Sequence, residues 1–487
     1  MNTRTFKLVT LAMISALYVG NVAAEELQQS DLTLATQQLE LENKVEEARL
    51  AAEKKAEEER LAIEAEKLFS ERFGDISLQF KPLIAKIYVE NHFSPIWTDN
   101  QAKQQFLHDY ALAIAGGISK RSANALNAIY EAAGKGELIE DVLLTDAFLD
   151  YLFYATNVAE SAQKWLYAGN SYKAGQLSDE QVSAWLSAVK NNDNFTFVKN
   201  LSGENALFKQ TSARVAHMIE AGVDKHNMVE LHRLAINAQR LRILPVFQDG
   251  IFVNIPSYEL NYYRDGQVIL SSRVIVGQSS RKTPVMSSRL SNVVVNPPWN
   301  APTRLINEDI IPKVRKDPSY IYRHGYTIID GSGNTIDPYT IDWENMSAKR
   351  FPYRLRQAPS DNSALGNYKF NMPSSEAIYL HDTPKRNLFG NKNRALSSGC
   401  VRVEKSDQLA TILLKEAGWT DETKQNVLKS KKTTSAGIKS DNPVFLYYVT
   451  AWVDKDQVHT LPDIYGYDKT PDLSYINWDI LKHYIQR

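Results

Sequence analysis

Cysteine is nearly absent from this chain of 487 residues, in which Cys400 is the only one. A single thiol excludes an intramolecular disulfide, and it excludes a zinc site built from paired cysteines. Charge of one sign is lacking as well. The 56 Lys and Arg balance 57 Asp and Glu, and a net charge of -1 gives no global field for gathering nucleic acid or an anionic membrane surface. No apolar run reaches the ~20 residues that a membrane-spanning helix needs, so no stable transmembrane anchor is expected. There is no clear internal repeat, which argues against a solenoid. His92, His108, His217, His226 and His232 are scattered, off metal-ligand spacing, and read as surface or core-edge residues. Neither a metal nor a cofactor is expected.

The N-terminus carries an address. Arg4 and Lys7 precede an apolar run from Leu8 to Val19, closed by Asn21-Val22-Ala23-Ala24, whose small residues suit signal peptidase. Residues 1–24 are read as a cleaved export signal that places the protein in the periplasm; an uncleaved N-terminal anchor is the rival reading. Residues 25–75 read as a charged helical spacer. Leu41, Val45, Ala48, Ala52, Leu61, Ala65 and Leu68 recur at helical spacing, but the stretch Glu53 to Arg60 offers only Ala56 to a partner, so a coiled-coil seam is weak. Gly74 is the expected stop.

Residues 76–241 show the periodicity of helix faces, broken at Gly116-Gly117 and at Gly134-Lys135-Gly136. The pattern changes at Pro245. Phe247 to Leu260 and Val268 to Val276 are rich in β-branched and aromatic residues, and Asp265-Gly266 between them signals a tight hairpin. Val293 to Val295, Ala377 to Leu380 and Val444 to Trp452 read as further strands, with a helix from Ser406 to Ala417 capped by Ser406. Between about 302 and 366 the pattern loosens into turns and polar segments, as in a lid or binding loop. The expected fold is α+β: a mostly helical domain over 76–241, then a β-rich domain over 242–487 carrying the lid.

One constellation carries chemistry. Tyr379-Leu380-His381-Asp382-Thr383 ends a strand, and Ser397-Ser398-Gly399-Cys400-Val401-Arg402 follows. A nucleophilic cysteine needs a base or a cation, because a free thiol with pKa ~8.5 is mostly protonated at neutral pH. His381 is the candidate base, and Ser-Ser-Gly supplies backbone that bends tightly enough to aim N–H groups at an oxyanion. Taken alone, a buried cysteine and a satisfied histidine would explain the same residues.

These residues resemble the active-site motif of the YkuD-type L,D-transpeptidases, with His381 at the histidine, Cys400 at the nucleophile, Gly399 at the glycine and Arg402 at the arginine. Asp382 and Ser398 depart from the commonest pattern, and both departures are similar to the large YcbB-like branch with its helical scaffold domain. Tyr88 to Asn91, Arg281-Lys282-Thr283-Pro284, Asn296 to Asn300 and Arg356 to Pro359 agree with that branch. Members often carry a small peptidoglycan-binding domain inserted in the helical scaffold, for which this chain has too few residues between Glu220 and His232.

The resemblance implies a cysteine acyltransferase. Cys400 would attack a tetrapeptide stem at the bond to its terminal D-Ala, His381 would relay protons, and Ser398, Gly399 and Cys400 would shape the oxyanion loop. A side-chain amine of a second stem would then accept the acyl group and form a 3-3 cross-link. Water as acceptor would make an L,D-carboxypeptidase, and a lipoprotein would make a ligase or hydrolase. The partners implied are donor and acceptor peptidoglycan stems, with other cell-wall proteins docking on the helical scaffold. From another class, the chain would be a non-catalytic scaffold of a cell-wall complex. A papain-like protease fits poorly because its histidine follows its cysteine.

Around the pair, assignments are looser. Arg402 would hold a stem carboxylate or order its loop through backbone carbonyls. Tyr379 and Trp299 would wall the groove or pack the core. Ser397 would orient His381 or the loop. Asp382 would orient the histidine only from the opposite face of the strand.

Overall fold

The computed structural model describes residues 41, 43–167, 172–347, 351–438 and 441–486. The expected export signal lies outside them. The chain divides into two compact units, residues 1–95 with 136–146, and residues 96–135 with 147–487.

In the first unit, residues 43–73 form the charged helix, with exposed Arg49 bonded to Glu46 and Glu53 at 2.6 Å each. Such exposed pairs add little stability. Leu41, Val45, Leu50, Leu61 and Ile63 also face solvent. The helix stops at Gly74, whose φ of +69° returns its N–H to Ser70 O at 2.9 Å. A second helix, Lys81–Glu90, buries Ile84, Ile87 and Tyr88, and the Tyr88 hydroxyl reaches Asp141 and Thr145.

The helical part of the second unit breaks at the glycines as expected. The helix Asn100–Ala115 ends at Gly116, capped at its start by the Asp99 carboxylate. Its core is aromatic: Trp97, Phe106, Phe148 and Trp185 lie with ring centroids about 5 to 6 Å apart. His232 is buried, not at a surface or core edge. It is 2% exposed, because the helix Met228–Arg242 is buried on every side from Leu231 onward, and the face that carries His232 also carries the buried Ala235, Ile236 and Gln239. Arg240 on the same helix is fully buried, bonded to Asp468, Tyr467 O and Leu166 O, and stacked over Tyr167.

The strands begin with β1 (Gly250–Asn254), β2 (Glu259–Arg264), β3 (Gln267–Gly277), β4 (Met286–Arg289) and β5 (Asn292–Val295). Asp265 and Gly266, both at positive φ, turn β2 into β3. Then follow β6 (Trp299–Asn300), β7 (Tyr326–Ile329), β8 (Thr335–Ile336) and β9 (Arg354–Gln357), which form a separate four-stranded sheet. Next come β10 (Tyr368–Asn371), β11 (Leu380–His381), β12 (Ala395–Ser397), β13 (Val401–Val403), β14 (Thr434–Gly437) and β15 (Pro443–Tyr447). The large sheet runs β14-β5-β10-β11-β13-β3-β2-β1-β15-β4, with β12 beside β3. A last hairpin pairs β16 (Ala451–Asp454) with β17 (Gln457–Thr460) through Lys455-Asp456.

The lid segment is more ordered than its loose pattern suggests. It is a small α/β layer around its own core of Ile306, Ile310, Ile311, Val314, Ile328, Trp343 and Leu355. Ile306, Ile310, Ile311 and Val314 do recur at helical spacing, but the other core residues are spread from Ile321 to Leu355 with no period that reads as an element. Ser406 also departs from expectation: it donates to Asp382 at 2.7 Å and does not cap the helix Ser406–Glu416. Among the described residues, no helix is long and apolar enough to cross a membrane.

Candidate active site

The site is assembled by one short parallel pairing. β11 lies beside β13 with Leu380 opposite Val401 and His381 opposite Arg402, and on its other side Lys369 of β10 is opposite His381. Cross-strand partners share a face and alternate residues return to it. Lys369, Tyr379, His381, Cys400 and Arg402 therefore project together, while Leu380, Asp382 and Val401 project away. All five line one cavity of about 570 Å³, with Trp299, Ser397 and Ser398 also in its wall. Of the eight residues expected at the site, only Gly399 is outside the lining.

Gly399 shapes the loop instead. Its φ is +124°, a conformation that L side chains rarely adopt, and an added Cβ would meet Ile378 at 3.3 Å. Its carbonyl accepts from Thr283 Oγ1 at 2.7 Å, and the same oxygen of Thr283 accepts from Gly277 N at 2.8 Å. Ser397 Oγ accepts the Gly399 N–H at 3.1 Å and donates to Cys400 O at 2.6 Å. Ser397 thus orders the turn, and the N–H of Gly399 that was expected to face an oxyanion is occupied. Ser398 is turned toward two arginines: Arg281 donates to its hydroxyl at 3.0 Å and Arg304 to its carbonyl at 3.1 Å. Arg281 also pairs with Glu308 and Asp309 of the lid at 2.7 and 2.6 Å, so the loop and the lid are tied through one guanidinium.

His381 is held by backbone. Its Nδ1 lies 2.6 Å from the carbonyl oxygen of Asp382. A carbonyl only accepts, so Nδ1 carries the proton and Nε2 keeps its lone pair. The Asp382 carboxylate is engaged on the other face with Asn367 N, Arg386 and Ser406, at 2.9, 2.8 and 2.7 Å. The residue orients the histidine through its main chain.

Electrostatics keep the pair neutral at rest. Burial, then the Arg402 charge and more weakly Lys369, press His381 down to about 3, against the Asp382 carbonyl. Burial pushes the Cys400 thiol up, opposed by the Tyr379 N–H and hydroxyl and by the Lys369 and Arg402 charges. A thiolate held beside an imidazolium, the expectation from the motif, is not what this burial favours. Trp299 interacts with the Tyr379 hydroxyl, which in turn donates to the sulfur. Among the described residues no carboxylate pairs with Arg402: burial depresses its basicity and Cys400 acts the other way.

Two family models match the chain: an L,D-transpeptidase catalytic domain over residues 248–420 and a scaffold domain over residues 82–214. A Haemophilus influenzae protein provisionally named as an L,D-transpeptidase is 59% identical over 417 residues, 86% of this chain and 84% of that one. The chain belongs to the L,D-transpeptidase family. Among solved structures, the avibactam carbamoyl enzyme of Ldtfm is 12% identical with a TM-score of 0.20, over 42% of this chain and 50% of that one. An L,D-transpeptidase from Mycobacterium smegmatis is 11% identical with a TM-score of 0.20, over 40% and 57%. This chain thus spans little more than half the length of those solved chains, and so distant a likeness adds nothing to the site.

Sequence reasoning missed three residues of this L,D-transpeptidase site. Lys369 lies in the cavity wall with its ammonium 4.3 Å from the centre of the Tyr379 ring. It sits mid-strand, away from the motif, and only the β10–β11 register brings it in. Arg304 comes from the lid. Thr283 stood in the Arg281 to Pro284 block, but nothing in the sequence says that its hydroxyl bridges Gly277 N and Gly399 O.

Proposed function

We propose that this L,D-transpeptidase forms 3-3 peptidoglycan cross-links in the periplasm through an acyl-enzyme on Cys400, releasing D-Ala from a tetrapeptide donor. The observation that carries the reading is that the only thiol of the chain shares one strand face and one cavity with an imidazole whose Nδ1 is bonded to backbone, which leaves the lone pair on Nε2. The thiol gives its proton to His381 as the sulfur attacks the stem carbonyl. A C–S bond forms, the amide C–N bond breaks, and the D-Ala amine leaves with the proton that His381 returns. The acceptor amine then attacks the thioester, forming C–N as C–S breaks; its proton passes through His381 back to sulfur.

Since Gly399 N–H is spent on Ser397, the oxyanion falls to the Cys400 N–H and the Tyr379 hydroxyl. Trp299 supports that hydroxyl, and Ser397 and Thr283 hold the loop. Arg402, with no carboxylate paired to it among the described residues, takes a stem carboxylate. The decisive experiment incubates the mature protein with disaccharide-tetrapeptide and follows acyl-enzyme by intact mass and products by muropeptide chromatography. The wild type should give acyl-enzyme and 3-3 dimer, and Cys400→Ala neither. An undiminished dimer yield from Cys400→Ala would end the assignment, and tripeptide without dimer would make water the acceptor.

A further inference from the structure

The three residues before Cys400 are each held by one turn. After β3, residues 277–283 fold back so closely that a Cβ added at Gly277 would lie 2.1 Å from Arg281 O. From this turn the Gln278 N–H donates to Ser397 O at 3.0 Å, Arg281 to the Ser398 hydroxyl at 3.0 Å, and Thr283 Oγ1 to Gly399 O at 2.7 Å. The last of these bears on the chemistry. Gly399 O and Cys400 N belong to one trans peptide plane, in which the C=O and N–H bonds point in opposite directions. Fixing the carbonyl on Thr283 therefore fixes the direction of the Cys400 N–H, the backbone donor assigned above to the oxyanion.

Thr283 is itself fixed from the far end of the chain. Tyr465, 6% exposed, accepts the Thr283 N–H at 3.0 Å and donates to Gly277 O at 2.6 Å, so one phenol closes both ends of the turn. Lys282 donates to Tyr465 O at 2.9 Å, and its ammonium lies 4.2 Å from the centre of the Tyr467 ring. Residues 463–468 form a strap around the Asp463 carboxylate, which accepts the N–H groups of Tyr467 and Asp468 at 2.9 and 2.8 Å and the Tyr448 hydroxyl. Tyr448 in turn accepts the Tyr465 N–H at 2.9 Å. The strap ends on the buried Arg240, which donates to Tyr467 O and Asp468 at 2.7 and 2.6 Å. Tyr465 does not line the catalytic cavity, so any effect it has on the reaction passes through the turn.

We infer that Tyr465 is a positioning residue for the reaction: through Thr283, its hydroxyl sets the Gly399–Cys400 peptide so that the Cys400 N–H faces the oxyanion. The inference rests on the transpeptidase reading. Tyr465→Phe keeps the ring beside Lys282 and removes only the bridging hydroxyl. Losing an oxyanion donor outright costs roughly a hundred- to a thousandfold in rate, and misaiming it costs part of that, so the limiting rate of acylation by disaccharide-tetrapeptide, followed by intact mass, should fall at least about tenfold. The half-saturating donor concentration should stay within about twofold, because the donor is needed only in the transition state. Alkylation of Cys400 by iodoacetamide forms no oxyanion, so its rate should stay within about twofold of the wild type from pH 6 to pH 9. Thr283→Val should reproduce the acylation loss, Thr283→Ser should restore it to within about threefold, and adding Tyr465→Phe to Thr283→Val should cost less than about threefold more. A tyrosine that only stabilises the fold would lower the urea midpoint and leave acylation unchanged. That result, or acylation and alkylation falling together, overturns the inference and leaves the transpeptidase standing. If Tyr465→Phe does not fold, Tyr448→Phe, which releases the Tyr465 N–H, carries the same contrast: acylation should fall at least about threefold with alkylation unchanged, and an unchanged acylation rate overturns the inference. A wild type that forms no acyl-enzyme sinks the transpeptidase reading itself and the inference with it.

Discussion

Alkylation of Cys400 across pH tests the resting protonation state directly. The chain has no other cysteine, so label counted by intact mass belongs to this residue alone. Burial raises the thiol above its ordinary value, and the imidazole beside it is held neutral by burial and by Arg402. Only the thiolate reacts with iodoacetamide. Below its pKa a thiol gains about tenfold in thiolate per pH unit, so the rate should climb roughly a thousandfold from pH 6 to pH 9 without a plateau. Glutathione, measured alongside, should bend over first. Tyr379→Phe removes the hydroxyl that donates to sulfur. Hydrogen bonds to charged groups are worth about 1.5–3 kcal/mol, so the variant should alkylate on the order of ten- to a hundredfold more slowly at pH 8. A rate that stays flat from pH 5 to 9 would show a preformed thiolate–imidazolium pair and refute the reasoning. An unchanged rate in Tyr379→Phe would remove the hydroxyl from the sulfur.

Two further predictions concern the fold around the site. His232 gives a proton to Gly116 O, while its buried Nδ1 has no hydrogen-bond partner; burial depresses its pKa to about 4. The unfolded chain, with histidine near 6.5, binds more protons than the native state between these values, so stability is full above pH 6.5 and falls as pH drops toward 4. The loss from this residue is about 3 kcal/mol; urea titrations of His232→Gln should show a shallower acid slope, and an identical slope would locate the sensitivity elsewhere. Gly366 sits at φ +58° with its absent Cβ 2.4 Å from Asp382 Oδ2. Gly366→Ala adds left-handed strain and displaces a carboxylate bonded to Asn367 N and Ser406, for about 2–4 kcal/mol of lost stability. Its urea midpoint should fall at constant slope, and a midpoint within error of the wild type would contradict the packing.

The fold class was legible because periodicity changes from helical to alternating at Pro245, and because Asp265-Gly266 marks its turn by chemistry. The lid was not. Ile306, Ile310, Ile311 and Val314 share a helical spacing, but no local pattern says that they meet the other five core residues, spread from Ile321 to Leu355. At the site, the identities of His381 and Cys400 were readable from spacing and motif, whereas their charge state was not, since it depends on burial and on Lys369, a residue brought in by strand register alone. The role of Asp382 was half legible. Alternation correctly sent its carboxylate to the opposite face, but the carbonyl that fixes the histidine is invisible to any side-chain argument. Gly399 likewise was expected to donate to the oxyanion, and only the position of the Ser397 hydroxyl removes that donor.

The two cations beside the pair act in opposite senses on its members. Lys369 and Arg402 favour a negative sulfur and disfavour a positive imidazole. Moving the proton from Cys400 to His381 therefore gains on one side and loses on the other, and with His381 buried and Cys400 half-buried the neutral pair is the favoured resting state. A thiol kept protonated is slow to oxidise as well as slow to alkylate, which protects an unpaired cysteine that must still be nucleophilic. A ligand carboxylate at Arg402, as proposed, would change the balance. It cancels the charge that most opposes protonation of His381, while Lys369 and the Tyr379 donors continue to stabilise the sulfur. On the proposed reading, the base would gain strength when a stem carboxylate is seated, and proton transfer would be coupled to the presence of substrate by electrostatics alone.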